Sequence, residues 1–208
     1  MAHYKLNGDL TDSSGGGYGG TGTMEHGSAV YVAGPPGYGQ ALKCDPDDGD
    51  GWDKVAFSLD ALRQCSRQIT VALWQYGDPS WDGQNEYNCI FQAYNDDDSD
   101  HIAGVYGLLN SHLPFMGQVS FAASGGNPDD YEHVVQENSD PCEYQGQWNH
   151  WVFTKDIDED MGEGITGSMR MYLNGQLWAE WSDFDSAVFV DEGAWGLGFG
   201  AGVGGGGP

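Results

Sequence analysis

Positive charge is what this sequence has least of. Seven Lys and Arg stand against 32 Asp and Glu in 208 residues, a net charge of −25. A nucleic-acid binder needs a basic face to neutralise phosphates, so the balance argues against that class of partner. Docking on an anionic membrane surface is disfavoured for the same reason. No apolar run approaches the roughly 20 residues that span a bilayer as a helix, and no membrane insertion is expected. Helix formers never cluster for three turns, and only 60–67 (DALRQCSR) reads as a short helix. Cysteines are few: Cys44, Cys65, Cys89 and Cys142, with no C-x-x-C pair, which argues against a zinc ribbon or a thioredoxin-type site. An even count is compatible with two disulfides in any of three pairings, and equally with four reduced thiols. We expect at least one bridge, involving Cys44 or Cys89, which lie on predicted strands beside loops. G-x-S-x-G, H-E-x-x-H and Walker-type loops are absent.

What the chain has in quantity is glycine and aromatics. Gly numbers 34, and 13% of residues are aromatic, with 8 Trp and 11 Tyr. That mixture points to many short strands joined by Gly-rich turns around a substantial core, not to disorder. A first strand is predicted at 4–8, with no leader before it, so either a leader has been removed or the protein reaches the exterior by another route such as virion assembly. A Gly/Ser loop follows at 13–28. Strands are predicted near 29–33, 40–44, 69–76, 87–94, 101–109, 116–123, 131–136, 148–154, 186–190 and 194–200. The segment 148–154 (WNHWVFT) is apolar on both faces and reads as a central strand. Asn174-Gly175 between two apolar runs is the strongest hairpin signal in the chain. One all-β domain over 1–201 is expected, with a Gly-rich tail at 202–208.

Three acidic stretches interrupt this pattern. Asp45, Asp47, Asp48 and Asp50 form one; Asp96, Asp98, Asp100 and Asp156, Asp158, Asp160 repeat a D-x-D-x-D spacing. Alternate carboxylates on a turning loop converge readily on one Ca²⁺, although neither run completes an EF-hand and a solvated charged loop is the plainer alternative. All three are expected as loops. The segment Lys155 to Asp160 superficially resembles the E-x-D-x-x-E strand of retaining glucanases, but Asp156 and Met161 stand where the two Glu should be. His150, between Trp148 and Trp151, is expected in the core, as are Trp74, Trp148 and Phe153. A sugar ring needs an exposed aromatic beside hydrogen-bonding side chains. The loop from Asp78 to Asn88 concentrates that mixture, which makes Trp81, Tyr87, Asp82 and Asn85 candidate glycan contacts. Trp178 and Trp181, three apart on a strand, are expected on opposite faces, one in the core and one exposed as a second platform.

Five segments, in order, resemble the laminin-G-like branch of the concanavalin A-like lectin/glucanase superfamily. They are Leu6 to Gly15 (LNGDLTDSSG), Gly37 to Leu42 (GYGQAL), Ile69 to Trp74 (ITVALW), Gln147 to Thr154 (QWNHWVFT) and Met171 to Leu177 (MYLNGQL). One departure is the close: the family's final Asp-containing strand has no counterpart, and the chain runs into Gly202–Gly207 instead. The resemblance implies an antiparallel two-sheet jelly-roll sandwich, often with a structural calcium, and adds Asp12 of the Asp-x-Ser-Gly loop to the candidate Ca²⁺ ligands. It implies a non-catalytic, calcium-stabilised module that binds a glycan or polysaccharide on an extracellular, cell or virion surface. The competing expectation is a structural component of a virion or fibre that contacts copies of itself or other assembly proteins. A polysaccharide hydrolase or lyase is the third, since the fold hosts all of these.

Overall fold

The segment expected to be central forms the longest strand and organises the molecule. The structure is a computed structural model that describes residues 1–24, 28–44, 54–58, 60–65, 67–77, 87–95, 105–110, 118–123, 133–136, 140–183 and 194–200. These residues form β1 (Thr23–Met24), β2 (Val30–Ala33), β3 (Gln40–Lys43), β4 (Lys54–Phe57), the one-turn helix α1 (Asp60–Arg63), β5 (Gln68–Tyr76), β6 (Tyr87–Asn95), β7 (Val105–Asn110), β8 (Gln118–Ala123) and β9 (His133–Gln136). A 3₁₀ turn (Pro141–Glu143) leads to β10 (Trp148–Gly162), β11 (Ile165–Leu173), β12 (Gln176–Ser182) and β13 (Ala194–Gly200). The predicted strand at 186–190, the tail at 202–208 and the acidic stretches at 45–50 and 96–100 lie outside the described residues.

The strands build a seven-stranded sheet in the order β1-β4-β13-β6-β7-β8-β9, a four-stranded sheet in the order β12-β11-β10-β5, and a separate β2-β3 hairpin. All of these pairings are antiparallel. The fold is therefore an all-β antiparallel sandwich, as the sequence led us to expect. Along β10 the odd positions Asn149, Trp151, Phe153, Lys155 and Ile157 are buried while Trp148, His150, Val152, Thr154 and Asp156 are half-buried, the period of two that a sheet covered on one face imposes. Facing side chains fill the space between the sheets: Phe91, Val119, Phe121, Ala123 and Val134 from the larger sheet, and Ile69, Trp151, Phe153, Met169 and Met171 from the smaller. Phe153 sits where they meet, its ring 5.1 Å from Phe91, 5.4 Å from Phe121 and 5.9 Å from Trp151, centroid to centroid. Lys155, 1% exposed, donates from Nζ to the Ala123 carbonyl at 2.6 Å and so ties β10 to β8 across the sandwich.

Three expectations are corrected. Residues 4–8 are not a strand: Leu6 takes φ 53° and Gly8 φ 90°, and only isolated bridges (Tyr4 to Asp12, Thr11 to Thr21) remain. The turn chemistry of Asn7-Gly8-Asp9, with Asp9 accepting from Thr11 N at 3.0 Å and from its hydroxyl at 2.6 Å, overrides the apolar alternation. The acidic stretch from Asp156 is not a loop either. It continues β10 to Gly162, because β11 pairs with it and cationic or hydrogen-bonding partners absorb its charge. Finally, Cys65 and Cys142 are free thiols, so the alternative of two disulfides does not hold. Cys65 is spent locally, its Sγ 3.5 Å from the Ala61 carbonyl.

Because Phe153 touches aromatic rings of both sheets, Phe153→Ala removes the centre of the core. We expect a loss of about 3–5 kcal/mol in unfolding free energy by chemical denaturation; a loss below about 1 kcal/mol would show that the sandwich does not depend on this contact.

Candidate functional site

The outer face of the four-stranded sheet carries the aromatic surface. Cross-strand register sets it out in rows. Tyr76 pairs with Trp148, and Trp74 with His150. Next come Ala72, Val152, Tyr172 and Leu177, then Thr70, Thr154, Arg170 and Glu180, then Gln68, Asp156, Ser168 and Ser182. The Tyr76 ring meets Trp148 edge-on at 5.6 Å, and Trp74 lies 5.0 Å from the His150 ring. Tyr38 joins from the β2-β3 turn, its ring 5.4 Å from Trp74. That turn is set by Tyr38 N donating to the Pro35 carbonyl and Gly34 N to that of Gly39, with Gly37 at φ 88°. Gln40 N donates to Asn7 Oδ1 and holds the hairpin to the N-terminal segment. The rings are open to solvent: Trp74 is 40% exposed, Tyr76 48% and Tyr38 61%.

The β11-β12 hairpin fixes this face from the side. Asn174, at φ 51°, uses its backbone N on the His150 carbonyl (2.8 Å) and its Oδ1 on His150 N (2.9 Å), as a further strand residue would. Its Nδ2 donates to Oδ1 of the buried Asn149 at 2.8 Å, and Asn149 Nδ2 donates to the Tyr144 carbonyl at 2.9 Å. Gly77 closes β5 against Tyr144 and Gln145, where a Cβ would stand 2.5 Å from the Tyr144 carbonyl oxygen. Below the aromatic rows, Arg170 chelates Glu159 through Nη1 (2.6 Å) and Nη2 (2.9 Å), and its Nε also bonds Glu180. Hydrogen bonds from Arg170 and then from Ser168 hold the Glu159 carboxyl down to about 2.

The sequence candidates are dispersed. Trp81, Asp82 and Asn85 lie outside the described residues, and Tyr87 begins β6 of the larger sheet. Trp178 packs edge-on against Trp151 at 5.3 Å and belongs to the core, whereas Trp181 is 55% exposed. The two do not point to opposite faces as expected. A bulge between Tyr172/Leu177 and Met171/Ala179 turns Trp178 inward, and Trp181, opposite buried Met169, stays on the same side at the sheet edge. Trp74, Trp148 and His150 are not core residues but lie on the outer face. The missed signal was in 68–76: Ile69, Val71 and Leu73 alternate with Gln68, Thr70 and Ala72, which places Trp74 and Tyr76 on the polar side.

The described acidic candidates are each engaged in hydrogen bonds or ion pairs of their own. Asp12 accepts from His3 N, Ser14 N, the Ser14 hydroxyl and Gly19 N, bonds that bring its carboxyl down to about 2. Asp156 accepts from Gln68 Nε2 at 2.8 Å and from Asp158 N, Asp158 is clamped by Arg67, and Asp160 caps Gly162 N. No three acidic, His or Cys side chains converge among the described residues. Asp45, Asp47, Asp48, Asp50, Asp96, Asp98 and Asp100 lie outside them.

No protein-family model matches the sequence, and no curated protein resembles it at a significant level. Solved structures do resemble the fold. The binding domain of botulinum neurotoxin DC in complex with SialylT matches with a TM-score of 0.62 at 14% identity, over 97% of this chain and 43% of that one. The receptor-binding domain of botulinum neurotoxin mosaic serotype C/D matches at 0.58 and 16%, over 93% and 40%. The botulinum neurotoxin serotype C1 binding domain matches at 0.59 and 14%, over 97% and 42%. The chain thus spans about two fifths of each of these domains, and what it shares with them is the β-sandwich.

The Glu159–Arg170 pair gives a pH dependence. Its carboxyl is depressed from 4.5 to about 2, so its contribution to stability is full above about pH 4.5 and is lost as pH falls toward about 2. Denaturant unfolding across that range should show this decline in the wild type and a shallower one in Glu159→Gln, which should also be less stable at neutral pH. Parallel curves for the two proteins would refute it.

Proposed function

We propose that this chain is a non-catalytic, laminin-G-like module that binds glycans through the outer face of its four-stranded sheet and is displayed on an extracellular surface. The observation that carries this reading is the exposed rings of Tyr38, Trp74 and Tyr76, with half-buried His150 and Trp148 beside them. Aromatic side chains left in water on a regular sheet contribute little to folding, and a pyranose offers the apolar ring face that such a surface accepts. Among the structural neighbours, one is a complex with SialylT, and for another, botulinum neurotoxin type C, cell entry is dependent upon interaction with two ganglioside molecules. Those properties belong to domains of which this chain matches about two fifths, and they support a binding role. The five segments resembling the laminin-G-like branch support the finer family assignment. Calcium stabilisation is a further part of the proposal. It rests on the crowding of Asp45, Asp47, Asp48 and Asp50 and of Asp96, Asp98 and Asp100 in sequence.

A glycan array with the wild type and Trp74→Ala is the test. Loss of one stacking ring costs on the order of 1–3 kcal/mol by analogy with base–aromatic stacking, so binding should weaken about tenfold or more while the melting temperature is nearly unchanged. If the wild type binds no glycan, the structural-component reading takes over; release of reducing ends or unsaturated sugars would identify an enzyme. For calcium, a chelator should lower the melting temperature, since a ligand that binds only the native state stabilises it. Superimposable melting curves with and without chelator would remove calcium from the proposal.

A further inference from the structure

Among the described residues, the aromatic face carries no Asp, Glu, Lys or Arg in a chain that is otherwise strongly acidic, and this restricts what it accepts. Resting on the glycan reading, we infer that the site takes uncharged glycans, at least two rings long and lying along β5 and β10, and rejects sialylated, sulfated or uronic-acid glycans.

The first ground is the distribution of charge. Among the described residues, the rows of Tyr76 with Trp148, Trp74 with His150, and Ala72 with Val152, Tyr172 and Leu177 contain no Asp, Glu, Lys or Arg. Charge starts one row further down, at Arg170 and Glu180, and that Arg is already committed to Glu159 and Glu180. Recognition of a carboxylate or sulfate needs a cation or converging N–H donors. The other basic residues do not supply one from this sheet's outer face. Lys155 points into the core, Arg67 holds Asp158, and Lys5, Lys43, Lys54 and Arg63 lie on other elements. Against this stands a net charge of −25, whose field opposes the approach of any anion.

The second ground is spacing. Trp74 and Tyr76 are two residues apart on one strand face, on the order of 7 Å along β5. Each has a ring partner on β10, His150 and Trp148. Two consecutive platforms along the strand direction match two consecutive sugar rings better than a single terminal residue. Tyr38 lies beside Trp74, its ring tilted 44° at 5.4 Å, and adds a second aromatic ring to that subsite.

The experiment compares lactose, cellotriose, chitotriose, xylotriose and maltotriose with 3′-sialyllactose, sulfated lactose and short polygalacturonate fragments, by calorimetry or saturation-transfer NMR at 20 mM and 300 mM salt. At least one neutral oligosaccharide should bind with an affinity that salt does not alter. The anionic probes should bind at least tenfold more weakly at low salt, with the gap narrowing at high salt as screening shortens the field's reach. Trp74→Ala and Tyr76→Ala should each weaken the neutral ligand. An anionic probe binding as tightly as its neutral counterpart overturns this inference and leaves the glycan reading standing. Neutral binding that survives both substitutions also overturns it, by placing the site elsewhere. Failure of all probes to bind overturns the inference together with the glycan reading.

Discussion

Phe153 meets Phe91 and Phe121 from the opposite sheet, and most of the architecture follows from that contact. It requires odd positions of β10 to face inward. Trp151 then stacks beside Phe153, Lys155 reaches the β8 carbonyl of Ala123, and Asn149 lies buried at the strand's start. Once the odd positions are committed, strand alternation gives the even ones no choice. Trp148, His150 and Val152 must face away from the core, next to the outward residues of β5. The aromatic surface is the obverse of the core contact.

A surface of this kind needs its backbone held still, and the polar bonds supply that. Asn174 acts as a substitute strand residue for His150 and at the same time satisfies the buried amide of Asn149. The positive φ of Asn174 and of Gly175 makes the turn tight enough for both. The Arg170 cluster performs the same service at the other end of the sheet, where it neutralises Glu159 and Glu180 on adjoining strands. Among the described residues, Tyr38 reaches the site from outside the sheet, on a hairpin tied to the N-terminal segment by Gln40 and Asn7. The floor of the site is thus built from the sandwich and one wall from a smaller, separately folded unit.

The architecture was legible because alternation and turn chemistry agree over most of the chain. The β10 segment reads as central and is central, and Asn174-Gly175 reads as a hairpin and is one. At Leu6 and Gly8 the two signals conflict and the turn wins. At Asp156 to Gly162 the sequence shows a run of like charge, which reads as a loop. The partners that make it a strand, Arg67, Gln68 and Arg170, are remote in sequence and invisible to a local reading. The site was less legible for a related reason. Trp74, Trp148 and His150 stand among apolar neighbours in the sequence, and only their parity marks them as outward. A bulge of one residue puts Trp178 and Trp181 on the same side, where strand parity alone sets them on opposite faces. Hydrophobicity says how much a strand buries; only the period says which side.

The strict division of labour along β10 and β5 has an evolutionary corollary. Odd positions answer to packing density, where a change of one methylene is felt. Even positions from Trp148 to Thr154, half-buried, and the exposed Trp74 and Tyr76 opposite them lie on the outer face, away from the Phe153 contact. Substitutions there are nearly decoupled from folding. A lineage could therefore rewrite the outward half of these strands, changing what the surface holds, while the inward half keeps the scaffold intact. Sequences sharing this scaffold would then diverge in alternate residues, with conserved and variable sites interleaved one by one rather than gathered in separate loops.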